Sequence, residues 1–233
     1  MRALLVLATV IALAQPAWAQ YVPMDFSSQT FNSMNLSSSY VLSSSMLRSS
    51  ARGGSRARAA RVRTARVDPV STVTTGGSGA IRSLAAAYPR AKRGEVEGNL
   101  RTLLAGFSKL EDAVGVPSGD AAGAMAALII GSYTVLHGEI PDEHVQTVIA
   151  QLRGAMRVDP RFVRMKMTQR RELYEKLAIV SMMVMGTHFA LSQRPDPAMA
   201  ARLHDAAEAY LEELSLDPER LVIDASGLSL ASS

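Results

Sequence analysis

"LAIVSMMVMGTHFAL" (Leu177–Leu191) is apolar on every side of a helix, with a Gly-Thr-His near its end. Leu173, Leu177, Val180, Val184 and Leu191 form one stripe, and Ile179, Met182, Met183 and Phe189 cover most of the remaining surface. Such a helix belongs either at the centre of a bundle or in lipid. Its fifteen residues fall short of the ~20 that a membrane span requires, and Arg170, Arg171 and Lys176 flank only its front. The stretch therefore reads as the core of a helical bundle in water. Met167, Met182, Met183 and Met185 fill irregular gaps well.

Working outward, Val96, Leu100, Leu103, Leu104, Phe107 and Leu110 recur at three- and four-residue steps, the spacing of one helix face. Gly115 and Pro117 end that helix. Ser118 is the expected N-cap of the next, "DAAGAMAALIIGSYTVL", which stops at Gly138. Gly123, Ala127 and Gly131 lie four apart on it and would let another backbone approach. Pro141, Asp142 and Glu143 open a third helix with an inner stripe of Val145, Val148, Ile149, Leu152 and Met156. Asp159-Pro160 starts a short turn, Thr168 is the expected cap of the central helix, and Asp196-Pro197 starts the last. That last helix turns Leu203, Ala207, Tyr210, Leu211 and Leu214 inward, and a turn with one short extended segment follows. The fold class is all-α, a bundle of about five helices with short connections.

The beginning of the chain differs. Arg2, the apolar run Ala3–Ala14, Pro16 and the small-x-small Ala17-Trp18-Ala19 stand in the order of a secretory signal. Serine, glycine and arginine then dominate without sustained period, which predicts disorder. The expected organisation is a signal peptide over 1–20, a disordered Ser/Arg-rich tail over 21–92 and a helical domain over 93–228. Charge divides along the same line: residues 21–93 carry a net +9, and residues 94–233 a net −6. The pI of about 9.6 thus describes a basic tail on an acidic body. Cysteine is absent, so packing alone must hold the domain.

The chain offers little catalytic pattern. His137, His144, His188 and His204 form no HExxH pair. His137 and His144 flank the acidic turn "HGEIPDEH", which reads as a solvated helix junction; no metal and no cofactor is expected. His188 reads as a core histidine bonded to a backbone or hydroxyl group. His204 and Glu208, one turn apart, read as an exposed pair. GxSxG and SxxK do not occur, and "TTGGSGA" lacks a phosphate-loop lysine and reads as linker. No catalytic residue is assigned, and an enzyme is not expected. Arg48, Arg52, Arg56, Arg58, Arg61, Arg63 and Arg66 stand without an acidic neighbour and are the expected site for an anionic partner. No aromatic residue interleaves them for base stacking, so nucleic acid is not expected. Arg157, Arg161, Arg164, Lys166, Arg170 and Arg171 read as a solvated edge.

The order "GVPSGDAAGAMAALIIGSY", "VQTVIAQLRGAM", "DPRF", "QRRELYEKLAIVSMMVM" and "ARLHDAAEAYLEELSLDPERLVI" resembles an uncharacterised family of bacterial exported helical proteins, over about residues 98–228. The resemblance implies a bacterial source, a helical body and a domain of unknown function, and it brings no catalytic residues. The expected role is a non-catalytic secreted or envelope interaction protein, periplasmic or extracellular. Its partner would be an unknown protein or an anionic envelope surface, and nothing would span the membrane once the signal is cleaved. The alternative is a small-ligand-binding protein or hydrolase with a pocket between core helices near His188.

Overall fold

The computed structural model describes residues 70–74, 76–77 and 79–231. The expected signal peptide, the seven arginines from Arg48 to Arg66 and most of the expected tail lie outside these residues. The described part is mainly helical. α1 (Gly79–Ala85) and a 3-10 turn (Arg90–Lys92) precede α2 (Arg93–Val114), α3 (Ala121–His137) and α4 (Asp142–Val158). The short α5 (Pro160–Arg164) then leads to α6 (Met167–Gln193) and α7 (Pro197–Glu213). An antiparallel hairpin of β1 (Leu221–Asp224) and β2 (Gly227–Leu230) ends the fold. The five long helices match the periodicity, and the hairpin replaces the single extended segment.

α6 is the centre of the bundle. Every residue from Leu173 to Val184 is buried, and α3, α2, α1 and α7 pack around it. Burial of each Leu, Ile or Val there contributes about 1.5–3 kcal/mol. Phe107 of α2 meets Tyr174 of α6 edge-on, with ring centres 6.1 Å apart. Among the described residues no helix is long and apolar enough to cross a membrane.

The folded body starts before residue 92, which corrects the boundary of the expected disordered tail. Val73, Ala80, Ile81, Leu84 and Ala85 are buried in the common core. The Val73 N–H donates to the Gly119 carbonyl, and the Ala121 N–H to the Ser71 carbonyl, both at 2.9 Å. "AIRSLA" is too short to display a helical period by itself, so only its docking against α6 makes it a helix. Thr74 and Gly77 of "TTGGSGA", read as linker, are likewise tied down. The Gly77 N–H donates to Glu175 Oε1 (2.9 Å), and Arg171 donates to Thr74. A Cβ on Gly77 would lie 2.8 Å from that same carboxylate oxygen and 2.9 Å from Arg171 Cδ, so a larger residue there would require these side chains to shift.

Two caps also differ from expectation. Gly119 turns the chain through φ +82°, which leaves Asp120 as the last extended residue before α3; its Oδ1 accepts from the Ala122 N–H (3.2 Å), and Ser118 stays exposed. α6 begins at Met167, so Thr168 already lies inside the helix, and Gln169 instead accepts from the Lys166 N–H (2.9 Å). Asp159 and Asp196 cap α5 and α7 as the Asp-Pro pairs predict. Gly115 closes α2 in the left-handed region.

Part of the presumed solvated basic edge carries structure. Arg170 donates to the carbonyls of Phe162, Val163 and Val70 and lies 5.1 Å from the centre of the Phe162 ring. Gln151 of α4 behaves like a short piece of strand: its amide accepts from the Leu228 N–H (2.6 Å) and donates to the Leu228 carbonyl (2.9 Å). The hairpin is thereby pinned to the bundle.

Candidate functional site

Where α2, α3, α4 and α6 diverge, the core opens into a cavity of about 240 Å³. Small residues of α3 form part of its wall. Gly123, Ala127 and Gly131 were expected to admit a neighbouring backbone; they admit side chains instead. A Cβ on Gly123 would meet Val116 Cγ1 at 2.9 Å, and one on Gly131 would meet Met185 Cγ at 3.1 Å. Between them Ala127 lines the cavity with only a methyl group. Phe107, Leu110 and Val114 of α2 form one wall, Val145 and Ile149 of α4 another, and Met185 and Phe189 of α6 a third.

Glu111 is the polar group set into this apolar lining. It is only 1% exposed. The Gly119 N–H donates to its Oε1 (3.1 Å), and the Tyr174 hydroxyl donates to its Oε2 (2.9 Å). Burial pushes its pKa up to about 7, against the lowering effect of those two hydrogen bonds. Burial and the neighbouring Glu111 push the Tyr174 hydroxyl far above its ordinary range. The Gly119 carbonyl accepts from Val73, and the next residue, Asp120, is fully buried and accepts from Nε (2.7 Å) and Nη2 of Arg153 in α4.

At the more exposed end stand Thr134, Glu139, Asp142, His188 and Ser192. His188, expected to be a core histidine, is half-buried on the cavity wall, beside the methionine-bearing helix and the Ala/Gly-bearing one. The other histidines lie elsewhere. His137 Nε2 lies 3.0 Å from the Pro218 carbonyl, and its ring rests 4.6 Å from that of Tyr133. His204 Nδ1 lies 3.8 Å from Glu208 Oε1 in an exposed pair. With Asp205 these make the one group of side chains, among the described residues, near enough together to share an ion.

Glu111 and Tyr174 were not singled out from the sequence, although a sign was present. Glu111 lies four residues after Phe107 and continues the inner stripe of α2, so a carboxyl falls where an apolar residue is due.

No curated protein and no solved structure matches the chain. A family model does, over residues 1–231, and the chain belongs to that family, described as a family of unknown function (DUF6683).

Proposed function

We propose that the helical body is a non-catalytic binding protein that holds one small, largely apolar molecule in the cavity between α2, α3, α4 and α6. The cavity itself carries this reading. Its volume exceeds the ~150 Å³ of an apolar void that accepts benzene, and its walls are aliphatic and aromatic with a few polar groups. A binding role rather than a hydrolytic one is supported by the engagement of Glu111, whose oxygens already accept from Gly119 and Tyr174. Calorimetric titration with 1-octanol tests the proposal. One molecule should bind saturably, and Ala127→Phe, which fills the cavity, should weaken binding at least about tenfold. Binding that is absent, or unaffected by Ala127→Phe in a folded variant, would overturn it.

The setting proposed for this body is export from the cell, with Arg48 to Arg66 holding it at an anionic envelope surface. The charge division of the chain supports that tether. Sedimentation with anionic vesicles should show binding that weakens with salt and is lost when residues 48–66 are deleted. Equal, salt-insensitive binding by both forms would end the tether idea.

A further inference from the structure

Among the described residues, the large apolar side chains that stand exposed are Val158 (69%), Val163 (47%) and Met167 (44%). All three fall at the junction where α4 gives way to α5 and α6. Single exposed apolar residues are ordinary on a protein surface, but three gathered at one junction are not. Phe162 is fully buried, which fixes α5 on the bundle, while its neighbours Arg161, Val163 and Arg164 stand exposed. The same junction is basic. Residues 160–171 hold five basic side chains and no acidic one, whereas residues 94–233 as a whole carry a net −6. Asp159, just before, is buried and pairs with Arg161, whose side chain remains 50% exposed. Arg164 donates to the Pro160 carbonyl, and Arg170 to the carbonyls of Val70, Phe162 and Val163; these neutral acceptors leave both charges in place. Arg170 thereby also ties Val70 to Val163 through one guanidinium, so the segment that carries Arg48 to Arg66 joins the body at this junction.

We propose that this junction is a docking surface for an anionic lipid bilayer, with Val158, Val163 and Met167 entering its interfacial layer and Arg161, Arg164 and Lys166 lying against the lipid phosphates. The apolar trio decides for a bilayer, because a soluble polyanion offers such side chains nothing, whereas a membrane interface takes up apolar and basic groups together. Each basic residue near an anionic bilayer is worth roughly fivefold in affinity. So small a patch is weak alone, and it acts together with the arginine tether, which keeps it close to the surface. The docking surface deepens the tether reading and rests on it, but it can fail while the tether stands.

Trp18 is the single tryptophan of the sequence, so the chain without residues 1–20, the expected signal, has none. In that chain Val163→Trp installs one fluorescent reporter at the junction. Its emission should move to shorter wavelength on vesicles of phosphatidylglycerol with phosphatidylcholine and stay unchanged on phosphatidylcholine alone. Ala201→Trp, at an exposed position of α7 near the far end of α6, should respond to neither. Arg164→Glu/Lys166→Glu should weaken binding to the anionic vesicles at least about tenfold. Val158→Ser/Val163→Ser/Met167→Ser should weaken it at least about fivefold and change binding of soluble polyphosphate less than about twofold. An unmoved Val163→Trp emission, or vesicle affinity unchanged by either variant, would overturn the docking surface; the tether then stands if deletion of residues 48–66 still removes vesicle binding. Equal weakening of polyphosphate and vesicle binding by the apolar variant would overturn the lipid assignment. Absence of vesicle binding by every form would overturn both the docking surface and the tether.

Discussion

Replacing Asp120 by alanine will lower the stability of the protein by about 3–5 kcal/mol, the usual range when one partner of a buried ion pair is removed. Three connections meet at this residue. Its side chain caps α3 through the Ala122 N–H, which alone is worth about 1 kcal/mol. Its carboxylate is fully buried against Arg153, whose side chain is 18% exposed, so the loss leaves a poorly solvated guanidinium without its anion. It stands opposite Thr72 in a bridge whose hydrogen bonds are made by the flanking Gly119 carbonyl and Ala121 N–H, and it neighbours the Gly119 N–H that holds Glu111. Urea denaturation measures the effect. Asp120→Ala with Arg153→Met should cost less than the two single changes together, because the stranded charge is gone. A loss below about 1 kcal/mol for Asp120→Ala would contradict the role given to the pair.

Glu111→Gln will remove a pH dependence of about 3 kcal/mol, obtained from the shift of its pKa from 4.5 to about 7. The folded chain holds this proton more tightly than the unfolded chain does. Between those two values the folded state therefore binds more protons, and stability falls as pH rises. The stabilisation is complete below about pH 4.5 and lost once pH passes about 7. Glutamine keeps one acceptor oxygen for the Gly119 N–H, can donate its amide N–H to the Tyr174 hydroxyl oxygen, and cannot ionise. Denaturation profiles of the two proteins should diverge from about pH 5 to about pH 8, with the variant gaining relative stability toward high pH. Parallel profiles would show that Glu111 does not carry the shift.

The long helices were legible because each spans several turns and repeats its apolar face. Leu177 to Leu191 marked the bundle centre, and Asp159 and Asp196 marked helix starts. Shorter pieces were not. α1 has one turn of pattern, and its buried Ile81 and Leu84 become meaningful only against α6. The hairpin depends on Gln151, 77 residues before Leu228, which no local pattern announces. The caps at Ser118 and Thr168 failed because backbone turns, such as that of Gly119, decide which polar residue comes last before the helix. A pocket near His188 was legible as an alternative from the pairing of a methionine-bearing helix with a small-residue one. Its acidic character was not, because Glu111 was not singled out and Glu139 and Asp142 read as turn residues.

The location of a bound probe tests the central claim most directly. Intermolecular nuclear Overhauser effects should connect the 1-octanol chain to the Met185, Ile149 and Ile130 methyl groups, which line the cavity. Contacts to none of these, with contacts only to the exposed Val158, Val163 or Met167, would mean that the cavity is no ligand site.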